Sequence, residues 1–395
     1  MSYVRFMRYI RFFSAAAAAA AIVTGLTGLT GGPASAAEPD RIACSGTALA
    51  IAVNTAQNGD TLELRRDCTY HLTTPYPGSD NDGLPAIGKN LTIRGNGATI
   101  VRDGLNTAPF RIFDVNSGGN LRLENLTVRG GYLDSSIGED GAGIRVNGGG
   151  ALSLVKVDVL DNTTTENGGG VAVEANASAT VKNSYVAFNN ANNGGGLYTA
   201  GAVTIENSEF ARNHARTSGG GIYQAGGTTF VGASVIRRNT SAGTTRGGGI
   251  YIAGGTVEIC ETKIANNTDT GNRGGGIYNN GNLRLVRSEV SGNVVGGANG
   301  LGGGIYNTSL GVLTLKGSEV FRNSANGPGT SVGGGIYNAG GSVTLDHSTV
   351  RNNASTAAPG GVFTSNAVLV TDSKVVHNIP TNCTPSPGLV PGCTD

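Results

Sequence analysis

The residues best suited to chemistry sit in three segments of the N-terminal third: TTPYPGSDNDGLPAI (73–87), RDGLNTAPF (102–110) and GGYLDSSIGEDGAG (130–143). They carry Asp80, Asp82, Asp103, Asp134, Glu139 and Asp140, beside Arg102 and Arg129. Two carboxylates roughly 6.5–9.5 Å apart can perform inverting glycoside hydrolysis. Acids beside an arginine base can instead hold Ca2+ and abstract a proton from a uronate. The plainer reading is a set of solvated loop acids, because acidic side chains are mostly exposed. Asp80-Asn81-Asp82-Gly83 has part of a calcium-loop spacing, but Gly78 stands where the first acid belongs. The four histidines, His71, His214, His347 and His377, form no metal-ligand spacing and no triad. No pattern requires a cofactor, and calcium is the one ion the acids suggest.

A second candidate set is a series of tyrosines, Tyr198, Tyr223, Tyr251, Tyr278, Tyr306 and Tyr337, followed by Phe363. Each comes directly after an aliphatic residue that closes a glycine cluster, so strand alternation turns the rings to the outside of one sheet face. Such a stripe can bind sugar rings through face stacking and a phenolic handle. It can equally be a ladder in which the rings stack on one another and shield the strand.

The elements that must position these residues are repeats. The aliphatic marker recurs at Ile144, Val171, Leu197, Ile222, Ile250, Ile277, Ile305, Ile336 and Val362, at intervals of 25 to 31 residues. A closing Asn keeps the same period from Asn162 to Asn378. Between the markers lie alternating stretches such as Leu283-Arg284-Leu285 and Leu313-Thr314-Leu315, which read as short strands with one buried face. One unit cannot bury that face alone, so the units must stack. Neither the hexapeptide period of left-handed helices nor a calcium-binding nonapeptide is present. The expected fold is all-β, a single-domain right-handed parallel β-helix of about twelve coils, roughly 55 to 60 Å long. Strand signals include Val203, Phe230 and Val257, and the Ser and Asn markers are expected to form polar ladders at the corners.

The ends differ from the repeats. Residues 1–36 place Arg5, Arg8 and Arg11 before an alanine-rich apolar run that closes in Ala34-Ser35-Ala36, the pattern of a secretory signal. Removing its three arginines takes the formal charge from +1 to −2, which leaves no basic surface for nucleic acid. No later apolar stretch is long enough for an integral membrane span. Residues 37–60 read as a cap with a short apolar helix, Ala48 to Ala56, and residues 61–141 as irregular coils with long loops. Residues 142–380 form the regular repeats, and residues 381–395 a closed tail. In an exported chain, Cys44 with Cys68 and Cys383 with Cys393 are the natural disulfides, and Cys260 is left over.

The opening from Leu49 to Tyr70 resembles secreted pectate-lyase-like β-helix proteins, and units such as GGGI with Phe210-Ala211-Arg212-Asn213 are similar to polymorphic outer-membrane-protein repeats. Nearly the whole chain after residue 36 shares this resemblance, which implies the architecture and only a broad class of extracellular targets. The expected function is a secreted, monomeric binder of extracellular polysaccharide or a cell-surface glycan, through the tyrosine face or the N-terminal loop groove. The alternatives are a polysaccharide lyase or glycoside hydrolase using the loop carboxylates, and an enzyme acting on a small secreted metabolite.

Overall fold

The computed structural model describes residues 41–79, 81–104, 108–243 and 246–395. The expected signal segment, residues 1–36, and Asp80 lie outside these. Asp40–Asp395 form one compact unit, a stack of rungs joined by about 11 turns. All but one of the strand contacts recorded are parallel, each strand pairing with its equivalent in the next repeat; the antiparallel bridge Phe110↔Tyr132 lies in the irregular N-terminal part. Three sheets result, of 22, 10 and 9 strands. In the broad 22-stranded sheet ten rungs supply two strands each, and two supply one long strand, Asn120–Arg129 and Ala151–Leu160. Twelve rungs are therefore stacked, the number expected from the strand signals.

Register fixes which side chains face inward. Leu283 pairs with Leu313 and Leu313 with Val343, and all three are buried. Ile277, Ile305 and Ile336 form the matching column in the 10-stranded sheet, fully buried. Phe230 departs from expectation. Thr229, not Phe230, pairs with Val203 and Val257 and is buried, whereas Phe230 pairs with Thr204 and Glu258 on the outer face. The inward hydroxyl is satisfied by Gln224, itself fully buried.

The repeated hexapeptide GGGIYN is explained by rung-to-rung approach. Gly274 adopts φ +72°, a left-handed corner, and a Cβ on Gly276 would lie 2.6 Å from the Gly304 carbonyl oxygen. Its last letter leads into the bend that follows, where Gly281 N–H donates to Asn279 Oδ1 at 3.1 Å, and it also builds a ladder. The side chains of Asn279, Asn307 and Asn338 point into the core, with Asn279 Nδ2 donating to Asn307 Oδ1 at 2.7 Å and Asn307 Nδ2 to Asn338 Oδ1 at 3.0 Å. A second ladder runs through the closing asparagines from Asn162 to Asn378 and ends on Asn382.

Both ends of the stack are covered. Helix α1, Gly46–Thr55, buries Leu49 and Val53 against the first rung. At the other end the tail places Cys383 and Val390 in the core and bonds Val368 N–H to the Leu389 carbonyl. Such covers protect the open strand edges. Cys44 and Cys68 form a pair with Cα atoms 5.9 Å apart, and Cys383 and Cys393 a pair at 6.4 Å. Cys260 is free and half-buried. No helix among the described residues is long and apolar enough to cross a membrane.

Candidate functional site

The irregular N-terminal rungs bring some of the expected acids together. Asp82 is buried, and its Oδ1 accepts from Arg111 Nη1 at 2.9 Å. Arg111 is fully buried and also donates to Glu139, to the Asp140 carbonyl at 3.1 Å and to the Gly141 carbonyl at 3.3 Å. Glu139 in turn accepts from Arg145 Nη1 at 3.2 Å. Arg145 holds Asp114 in a two-point contact at 2.9 and 3.1 Å. Two guanidinium groups thus hold three carboxylates, so the cluster has an excess of negative charge. Burial pushes the Asp82 carboxyl up to about 7 against the opposing charge of Arg111.

Asp140 lies at the rim. Its Oδ1 accepts from Asn167 N–H at 2.9 Å and from Asn167 Nδ2 at 3.0 Å. The Glu174 carboxyl is raised first by burial and then by the charge of Asp140.

The other expected site residues are dispersed. Asp103 contacts His71 Nδ1 at 2.9 Å. Arg102 donates to the Ala108 carbonyl at 3.1 Å and lies 5.2 Å over Phe110 and 5.4 Å over Tyr132. Arg129 pairs with Asp161 at 2.9 Å. Asp134 is occupied by Ser136. Glu289 and Glu319, which occupy equivalent positions on adjacent rungs, each have their own cation, Lys263 at 2.7 Å and Arg351 at 3.0 Å. Among the described residues no group of three or more His, Cys, Asp or Glu side chains is arranged to hold a metal ion.

The tyrosines form one continuous stack. From Tyr198 to Phe363 successive ring centroids are 4.7 to 5.5 Å apart and the planes differ by 4 to 19°. Each internal ring therefore has both faces against its neighbours, which leaves only edges and hydroxyls outward. Arg246 further covers Tyr278, at 4.9 Å from the ring centre and 2.7 Å from the hydroxyl, and Arg273 lies 5.3 Å over Tyr306. A sugar cannot stack on faces that are already occupied.

Phe230 is the aromatic residue that the sequence reading misplaced. On the outer face of the broad sheet its ring lies over Gly232, where an added Cβ would sit 2.9 Å from Cε1 and 3.1 Å from Cζ. The positions flanking Gly232 in register are Glu206 and Cys260, so glycine creates the seat. The half-buried ring borders two shallow troughs. One is floored by Ser178, Thr180, Ala202, Thr204 and Thr228. The nearest charges are paired, Glu258 with Arg284 at 3.2 Å and Glu206 with Lys182 at 2.9 Å. Counting seven residues from Ile222, as from Ile250 to Val257, would have revealed Thr229 as the inward position and Phe230 as the outward one. Arg145 and Asp114 were legible by the same means, since they hold the tyrosine column's register position on earlier rungs.

Residues 112–295 match the sequence family described as right handed beta helix region. No curated protein and no solved structure matches the chain.

Proposed function

Taking the chain as a right-handed parallel β-helix repeat protein, we propose that it is an exported binder of neutral polysaccharide or cell-surface glycan, which it holds along the broad sheet. The observation that carries this reading is the Phe230 ring seated on Gly232 between two troughs. An aromatic ring flanked by serine and threonine hydroxyls offers a stacking platform and hydrogen-bonding groups to a saccharide. The pairing of the adjacent charges favours an uncharged chain over a uronate polymer.

Binding is favoured over turnover by the state of the N-terminal acids. Arg111 and Arg145 are each engaged by carboxylates, which opposes their use as bases toward a uronate. Asp82, Glu139 and Asp140 are each held by hydrogen bonds or ion pairs within the protein, which opposes their use as acid and base.

The test is retention on insoluble neutral and acidic glycans, with reducing ends and unsaturated products monitored in the same samples. Retention on a neutral glycan that is lost in Phe230→Ala and kept in Tyr251→Ala supports the proposal. Retention unaffected by Phe230→Ala, or product release that requires Asp140, overturns it.

A further inference from the structure

We infer that the tyrosine ladder is a one-electron relay, which moves an oxidising equivalent along the rod and delivers it to Tyr198. Six tyrosines in consecutive contact, all within 5.5 Å of the next centroid and nearly parallel, give continuous overlap of oxidisable rings. This exceeds what shielding one strand requires, and it is independent of the proposed glycan binding, which uses the broad sheet.

The ladder is also electrically uneven. Phe363 stacks on Tyr337 at 4.7 Å and closes one end with a ring that is much harder to oxidise. The middle is disfavoured for a positive charge, because Arg246 and Arg273 lie over Tyr278 and Tyr306. The Tyr198 end has the opposite surroundings. Its register neighbour is Ala172, and Glu174, which has the charge of Asp140 in its surroundings, follows two residues later just past the strand. The charges of both acids act on the Tyr198 phenol, whose pKa is raised by burial first and by these carboxylates next. Negative charge stabilises an oxidised ring, so the radical settles there.

The chemistry balances with an external one-electron oxidant, of the kind formed by a peroxidase or a photogenerated ruthenium(III) complex. The oxidant gains one electron from the first tyrosine, which becomes a ring radical cation. Each transfer then returns an electron to the earlier ring and takes one from the next, and at Tyr198 the phenolic proton passes to water and leaves the neutral phenoxyl there. Parallel stacking also hinders coupling, since a carbon–carbon bond between two rings must bring them edge to edge.

The experiment uses the full chain with Cys260→Ser and Ser365→Cys, labelled at the new thiol with a ruthenium tris-bipyridyl group. Ser365 is exposed and lies two residues beyond Phe363. Illumination with a cobalt(III) electron acceptor generates ruthenium(III) at that end, and a nitroso spin trap followed by peptide mass spectrometry locates the radical. The expected result is a Tyr198 adduct in the intact ladder and its loss, with the Tyr337 adduct retained, in both Tyr251→Leu and Tyr223→Leu. Two independent breaks guard against one variant folding poorly, and far-ultraviolet circular dichroism checks each. Adducts confined to Tyr337 in the intact ladder overturn the relay. A Tyr198 adduct that persists in both folded break variants overturns it as well.

Discussion

Asn239 Nδ2 donates to Asn267 Oδ1 at 3.0 Å, and that same oxygen accepts the Asn239 backbone N–H at 2.9 Å. Asn267 Nδ2 repeats the contact one rung on, donating to Asn293 Oδ1 at 2.9 Å and to the Ile236 carbonyl at 3.0 Å. Every amide is fully buried, so each depends on its neighbours for all of its hydrogen bonds. Replacing Asn267 with Leu strands two buried N–H groups of Asn239, one on the backbone and one on the side-chain amide, while Asn293 Oδ1 keeps the Asn267 backbone N–H. The expected loss is about 1–3 kcal/mol per stranded group, read as a lower denaturant midpoint. Asn378→Leu, at the end of the ladder, should cost less.

Asp269 gives the stability a pH dependence of definite sign. It is fully buried, and its carboxylate accepts from Ser241 Oγ at 2.7 Å, Arg273 N–H at 3.0 Å and Gly271 N–H at 3.2 Å. Burial outweighs these donors and raises it from 3.8 to about 7. The folded state then holds a proton that the unfolded state releases. Its stabilising contribution is present below about pH 4 and is lost as pH rises through 7. The melting temperature should fall over that interval, and Asp269→Asn should flatten the fall. Asp82 acts in the same direction, so the double variant with Asp82→Asn should flatten the fall further.

Arg111 tests how the irregular rungs are held. Removing its buried cation leaves Asp82 without its ion-pair partner and Glu139 with Arg145 alone, a change that costs about 3–5 kcal/mol in comparable buried pairs. Arg111→Met should unfold the N-terminal rungs at lower denaturant, visible as early hydrogen exchange around Phe113–Val115. Adding Asp82→Asn and Glu139→Gln removes the stranded charges and should recover much of the loss.

The scaffold was legible because its period is written in residue types that the stack constrains strongly. Ile277, Ile305 and Ile336 must fill the core, and Gly276 must admit a carbonyl at 2.6 Å. The polar ladders were foreseen for the closing asparagines but not for Asn279, Asn307 and Asn338, although the alternation that turns each tyrosine outward turns the next residue inward. The loop acids were legible as a cluster, but not the partners that decide their state. Arg111 sits in a segment with no repeat register to align, and Arg102 and Arg129, the cations nearest in sequence, turned to other contacts. The tyrosine column was visible from the repeats, while the fact that its faces are mutually occupied depends on ring planes no sequence pattern reports. Phe230 was obscured by a one-residue alignment error, which in a strand reverses the face.

That reversal supplies a direct test of the glycan platform. Phe230 lies flat only because position 232 has no side chain. Gly232→Val places a Cβ 2.9 Å from Cε1 and 3.1 Å from Cζ, with two methyl groups branching from it, and must lift the ring off the sheet. The outer position tolerates such a residue elsewhere, since Val286 occupies it two rungs later, so the melting temperature should change little. Glycan retention should nevertheless fall as far as in Phe230→Ala, by roughly tenfold if the stacked ring contributes about 1.4 kcal/mol. Retention equal to the unaltered chain in a folded Gly232→Val protein would show that ring orientation is irrelevant, and the platform would then have to be abandoned.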